Sequence, residues 1–191
     1  MRSLLLLAFV MLPTSASTAR PAIYGHIDQC LATPGGSWNY RTKICEPTAS
    51  GPVDRIFVDK SEHWMAVYRE GKIIREFRVA LGRGGLAPKV RQGDGRVPEG
   101  RYNIVAHNPE SAFYLSLKIG YPTALQAAEA ASRGIDAGDD IMIHGLPNGR
   151  GWIGSRHQKV NWTQGCIALT NPEMQWLYAS VADGTPIEIR A

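Results

Sequence analysis

Residues 64–81 read Trp-Met-Ala-Val-Tyr-Arg-Glu-Gly-Lys-Ile-Ile-Arg-Glu-Phe-Arg-Val-Ala-Leu. Two arms rich in β-branched and aromatic residues flank Glu70-Gly71-Lys72, a turn signal, and together they predict a β-hairpin. In the second arm Phe77, Val79 and Leu81 fall on one face and Glu76 and Arg78 on the other, as in a strand with one buried side. The pattern extends outward. Ile56 and Val58 alternate with polar neighbours just after Val53, and Tyr102, Ile104 and Ala106 share one side of a strand over 101–106. Asp140 to His144 and Cys166 to Leu169 are short apolar segments, and Ile187 and Ile189 alternate in a closing strand. Two helices interrupt the strands. Thr123 and Gln126 form a capping box before an Ala-rich run that stops at Gly134. Asn171-Pro172 opens a second helix, with Met174, Leu177, Tyr178 and Val181 at helical spacing. Many short strands with two helices predict a mainly β, β-rich α+β domain, built as an antiparallel sheet or sandwich.

The chain has 191 residues, 20 of them Gly and 12 Pro, which suits one loop-rich domain with a short appendage rather than a helical bundle. Twenty-one basic residues against 17 acidic give a net charge of +4. No Arg/Lys stripe accompanies it, so nucleic acid is not a predicted partner. The glycine-rich stretch over 82–100 lacks the Gly-Lys-Ser/Thr ending of a phosphate loop.

Residues 1–19 read as a secretory signal: Arg2, the apolar run Leu4 to Leu12, then small residues ending in Ser17-Thr18-Ala19. The apolar run is too short to span a bilayer comfortably, the alternative being an uncleaved N-terminal anchor, and no other segment after Ala19 could cross one. The expected mature protein starts at Arg20, is exported, and is not an integral membrane protein. Residues 20–52 read as an irregular N-terminal extension, and 53–191 as the main domain. Cys30 and Cys45 lie in that extension. Oxidation after export would close a loop worth about 3 kcal/mol in the chain-entropy model, the alternative being two unpaired surface thiols.

Cys166 is the odd cysteine. Trp162-Thr163-Gln164-Gly165-Cys166-Ile167 places it after a glycine, and Ile143-His144-Gly145 places a histidine at the end of an apolar strand. If the two strands pair, both side chains can emerge at one end of the sheet, beneath the loop over 146–165. A thiol near pKa 8.5 is only a few per cent ionised at neutral pH, and a neighbouring imidazole is its usual activator. Gly165 allows close approach to a reacting carbonyl, amides near Gly165 and Cys166 could form an oxyanion hole, and the Gly145 carbonyl could orient His144. The residues alone also admit a buried, inert cysteine with an unrelated histidine. A zinc site recruiting His157 lacks any supporting ligand spacing. Asn161-Trp162-Thr163 matches a glycosylation sequon by chance.

The order His144-Gly145, loop, Thr163-x-Gly165-Cys166-Ile167 resembles the signature of L,D-transpeptidases of the YkuD family. Gly93-Asp94-x-x-x-Pro98-Glu99-Gly100-x-Tyr102 is similar to a second segment of that family, and the resemblance runs from about Val53 to Arg190. It implies a β-sandwich catalytic domain acting on peptidoglycan stem peptides in the periplasm or cell envelope. Cys166 would be the nucleophile, His144 the general base and acid, and the Gly145 carbonyl the third member. The implied product is a cross-link made through a thioester, with no metal or organic cofactor and with carbapenem-type inhibitors as ligands. Two positions depart from many members: Gln164 stands where a second histidine is common, and Ala168 where Arg or Asn is. Arg83, Asn148, Trp152, Trp162, Thr163 and Gln164 are the candidates for the substrate pocket. Hydrolysis by the same cysteine, or a non-catalytic peptidoglycan-binding module, are the alternative readings.

Overall fold

The structure, a computed structural model, describes residues 53–191 together with 23–24, 36–39 and 44–47. The hairpin forms as its sequence predicts. Strands β5 (Trp64–Arg69) and β6 (Lys72–Arg78) pair antiparallel. The turn between them has φ of 51° at Glu70 and 71° at Gly71, the two positive values that a tight two-residue hairpin turn needs. Phe77, Val79 and Leu81 are fully buried, but so are Arg75 and Glu76, so both faces of this strand are covered. Glu76 accepts the Trp64 indole N–H at 3.0 Å, and the Arg75 guanidinium lies 4.3 Å from the Trp176 ring centre.

The other strands are β4 (Arg55–Asp59), β7 (Gly100–Asn108), β8 (Ser116–Ile119), β9 (Met142–His144), β10 (Ile167–Ala168) and β11 (Pro186–Arg190). They form one eight-stranded sheet in the order β10-β9-β8-β7-β11-β4-β5-β6. Two pairs, β9–β10 and β4–β11, run parallel and the rest antiparallel. The expected β layer is thus a single sheet that curls until its ends meet. Just beyond β6, Ala80 exchanges two backbone hydrogen bonds with Ala168 of β10, at 2.8 and 3.1 Å, and Arg83 N–H reaches Thr163 O at 3.0 Å.

Helices α1 (Ala124–Ser132) and α2 (Asn171–Ser180) both begin with a complete capping box, Thr123 with Gln126 and Thr170 with Glu173. Met174 and Leu177 of α2 join Phe77, Ile104, Leu117, Ile143, Ile167 and Ile189 in the core. Each such side chain contributes roughly 1.5–3 kcal/mol on leaving water. A buried lysine braces the glycine-rich loop, Lys60 Nζ donating to the Val97 carbonyl at 3.2 Å and pairing with Glu99 at 2.7 Å.

Two elements were not expected. Strand β8 joins β7 to β9, and a 3-10 segment (Gly151–Lys159), kinked at Gly154, fills the loop between β9 and β10. The region read as irregular holds three short antiparallel strands, β1 (Ile23–Tyr24), β2 (Gly36–Asn39) and β3 (Ile44–Pro47), in the order β1-β3-β2. The expected signal segment and Cys30, and with it the expected Cys30–Cys45 bond, lie outside the described residues. Among those described, no helix is long and apolar enough to cross a membrane.

Candidate active site

The parallel register of β9 and β10 decides where the two candidate side chains, His144 and Cys166, go. Ile167 pairs with Ile143 and Ala168 with His144, so Cys166, just ahead of β10, stands level with Met142. Side chains two apart along a strand share a face. Met142, His144, Cys166 and Ala168 therefore face the same way, with His144 and Cys166 as diagonal neighbours. They meet across a sheet face rather than at a common strand end, because the strands run in the same direction. Both line a cavity of about 460 Å³ that Phe113, Asp140, Trp162 and Gln164 also enclose.

His144 is 4% exposed, between Phe113 and Trp162 with ring centres at 4.5 and 5.6 Å. Its Nδ1 lies 2.7 Å from the Gly145 carbonyl, an atom that can only accept. The proton therefore sits on Nδ1 and the lone pair on Nε2. The Gly145 peptide is itself held, its N–H donating to Leu115 O at 3.2 Å and the next N–H to Asn171 Oδ1 at 2.9 Å. A Cβ at Gly145 would come within 3.0 Å of Asn171 Oδ1 and of backbone, which is why glycine stands there. Burial depresses the His144 pKa, and the Gly145 contact offsets this in part.

Burial pushes the Cys166 thiol up, and the Asp140 carboxylate adds to it, against the Met142 N–H and Lys89, which lower it. Sγ lies 3.5 Å from the Asp140 carbonyl. Both shifts favour the uncharged forms, a neutral thiol beside a neutral imidazole. The expectation of an imidazole-activated thiol thus becomes one of proton transfer during attack, rather than a standing thiolate.

The turn carrying Cys166 is tied from below. The Thr163 hydroxyl donates to Cys166 O at 2.7 Å and accepts the Gly165 N–H at 3.2 Å. That uses the Gly165 amide, expected as an oxyanion donor, and leaves the Cys166 amide as the other candidate. Gly165 has φ 122°, and a Cβ there would lie 2.7 Å from the Arg96 carbonyl. The loop supplying that carbonyl is organised by Asp94, whose carboxylate accepts N–H bonds from Val90, Arg91 and Arg96 and one from Lys89 Nζ. These bonds hold its pKa at about 2 against its own burial. The Gly-Asp segment singled out in the sequence is thus the buttress of the cysteine turn.

The pocket candidates separate. Trp162 and Gln164 line the cavity, whereas Arg83 is outside the lining and meets it only through Gln164, donating from Nη2 to Gln164 Oε1 at 2.9 Å. Thr163 lines it too, with its hydroxyl spent on the turn. Asn148 does not: its amide accepts from Tyr114 N–H at 2.9 Å and donates to Ser111 O at 3.2 Å, pinning the 111–114 loop that forms one wall. Trp152 is 72% exposed and lies outside the lining, its indole beside Arg156 instead. His157 meets neither His144 nor Cys166 as a ligand. Its Nδ1 accepts the Trp162 indole N–H at 3.3 Å, and burial together with His144 holds its pKa at about 4. Among the described residues no cluster of His, Cys, Asp and Glu could hold a metal. The sequon asparagine is engaged structurally, Asn161 Oδ1 accepting from the Leu81 N–H at 3.0 Å. Asp140 and Phe113 were missed in the sequence. Asp140 follows another aspartate just before β9, where an acidic pair reads as a solvated strand entry.

The fold and site define a known class: the chain belongs to the YkuD family of L,D-transpeptidase catalytic domains, whose family model matches residues 53–189. Its relatives include YafK of Escherichia coli K12, 31% identical over 130 residues, 63% of this chain and 51% of that protein. The chain thus spans about half the length of the curated relative it matches. Among solved structures, the fold is like that of Pgp2, a helical cell shape determining protein of Campylobacter jejuni. That match has a TM-score of 0.54 at 24% identity and covers 72% of this chain and 47% of Pgp2.

Proposed function

We propose that this chain is an exported cysteine L,D-transpeptidase that exchanges amide bonds on peptidoglycan stem peptides. The observation that supports it most is Cys166 and His144 on one face of a parallel strand pair, with Nε2 left as the free base. In this reading Nε2 takes the Sγ proton as sulfur attacks the carbonyl of the third, L-configured residue of a tetrapeptide stem. The Cys166 amide holds the developing oxyanion. The C–N bond to D-alanine then breaks, His144 returns the proton to the leaving amine, and a thioester remains. An amine of a neighbouring stem attacks that thioester and gives its proton to His144. The C–S bond breaks, and one amide has replaced another. Arg83, held by Gln164 at the cavity, suits a stem-peptide carboxylate. Carbapenem-type β-lactams would acylate the same sulfur. Export to the periplasm rests on the leader-like residues 1–19, and a role in cell-wall organisation follows from the reaction.

Mass spectrometry of tetrapeptide muropeptides incubated with the protein and with Cys166→Ala tests this. Cross-linked dimers that have lost D-alanine, formed only with Cys166 present, are the expected products. Shortened monomers alone would make the protein an L,D-carboxypeptidase. No change in either sample would point to a binding module, and equal turnover by Cys166→Ala would overturn Cys166 as the nucleophile.

A further inference from the structure

Asp140 sits beside the sulfur in an unusual way. Its carbonyl receives the Cys166 thiol, the residue is among those lining the same cavity, and its φ of 55° places a non-glycine residue in the left-handed region. The carboxylate is 63% exposed and pairs through Oδ1 with Lys118 Nζ at 2.7 Å, leaving its remaining lone pairs open to solvent. For the first half-reaction this charge is a handicap, since a negative group near sulfur opposes formation of the thiolate. A water molecule attacking the thioester gains nothing from it either. A primary amine does, because it arrives at neutral pH as an ammonium ion, and a carboxylate near the acyl group raises its local concentration.

We propose that Asp140 is the docking group for a cationic acceptor amine and so favours aminolysis of the thioester over hydrolysis. The assignment rests on the thioester chemistry proposed above. The ammonium donates to the open oxygen of Asp140. It loses one proton to His144 Nε2, which frees the lone pair. The nitrogen attacks the thioester carbon, and the C–S bond breaks with the electron pair going to sulfur. The second N–H proton passes to that thiolate, and His144 releases its proton to solvent. Lys118 competes with the acceptor for the same carboxylate, so it sets how strongly the acceptor is held. The acceptor is therefore a primary amine on a side chain or chain end that can reach a half-exposed carboxylate at the cavity mouth, as the free amine of a diamino acid in a second stem would.

The test uses the whole protein, a tetrapeptide muropeptide as donor, and two competing nucleophiles: glycinamide, largely cationic at pH 7, and hydroxylamine, which is uncharged there. Asp140→Asn removes the charge and keeps a residue that tolerates positive φ. Mass spectrometry follows thioester formation separately from the partition between aminolysis and hydrolysis. In Asp140→Asn, glycinamide transfer relative to hydrolysis is expected to fall roughly tenfold, the order that one partly exposed charge pair supplies, with hydroxylamine transfer retained. Lys118→Gln, which frees the carboxylate, is expected to raise glycinamide transfer. Equal losses with both nucleophiles, or no change with either, would overturn the assignment. Absence of a thioester in the parent protein would overturn the reaction proposed above, and the acceptor site with it.

Discussion

His144 and His157 are both histidines whose neighbours keep them uncharged, and the cost of that appears at low pH. The folded-state pKa of each is depressed, that of His157 to about 4, whereas the unfolded chain titrates both near 6.5. Their contribution to stability is therefore complete above pH 6.5. It is lost as pH falls from there through the folded values, by at most about 1.4 kcal/mol per pH unit for each histidine. Urea denaturation at pH 7 and pH 5 should show this decline, and His157→Asn should flatten part of it. A stability that is level from pH 7 to pH 4.5 would contradict the burial argument. In the proposed mechanism the same depression places the acidic limb of kcat/KM below 6.5, because Nε2 has to be unprotonated to take the thiol proton. At this scale the sequence was most informative where backbone geometry restricts the choice of residue. His144-Gly145 and Thr163-x-Gly165-Cys166 were readable because each glycine has a steric reason to be there. Asp140 was not, since nothing in an acidic pair tells which residue's carbonyl will meet a sulfur 26 positions later. Asn148 and Trp152 misled for a related cause: residue type suggested a pocket, and only the contacts showed one pinning a loop and the other facing solvent.

The element that matters most is the turn over 163–166, and it stands on a stack of glycines. A Cβ at Gly82 would lie 2.0 Å from the Gly95 carbonyl and 2.9 Å from the Gly165 Cα, and Gly165 in turn abuts Arg96. Gly165→Ala combines a strained φ with a backbone clash, and should cost about 2 kcal/mol or more. Thermal denaturation would measure the loss, and an unchanged Tm would show that the turn can move aside. Elements set by local rules were legible: the hairpin from its turn residues, and α1 from Thr123 and Gln126. Helix α2 starts at Asn171 as expected, and its cap, Thr170 paired with Glu173, adds a capping box that was not read. Strand β8 was not legible. Four residues, Ser-Leu-Lys-Ile, carry too little periodicity, and what makes them a strand is pairing with β7 on one side and β9 on the other. The parallel direction of β9 and β10 is likewise invisible locally, since it is set by the 3-10 segment that carries the chain back.

At the scale of the molecule, the curled sheet is closed by the seam between Ala80 and Ala168. Ala80→Pro deletes the N–H that donates to Ala168 O and leaves that carbonyl without it. The expected result is a lower Tm together with a loss of turnover larger than the loss of folded protein, because β10 follows directly on Cys166, the proposed nucleophile. Turnover that merely tracks the folded fraction, measured by circular dichroism at the assay temperature, would show that the seam supports stability alone. Sheet closure was beyond sequence reading because it joins segments far apart in the chain, with no motif at Ala80 to announce it. Such distant pairings form only after the loop between them has closed, and they come late in the assembly of β proteins. Reactivity of this thiol is therefore a completion signal: a chain that has made its hairpins and helices but not its seam already holds the sulfur, yet cannot present it.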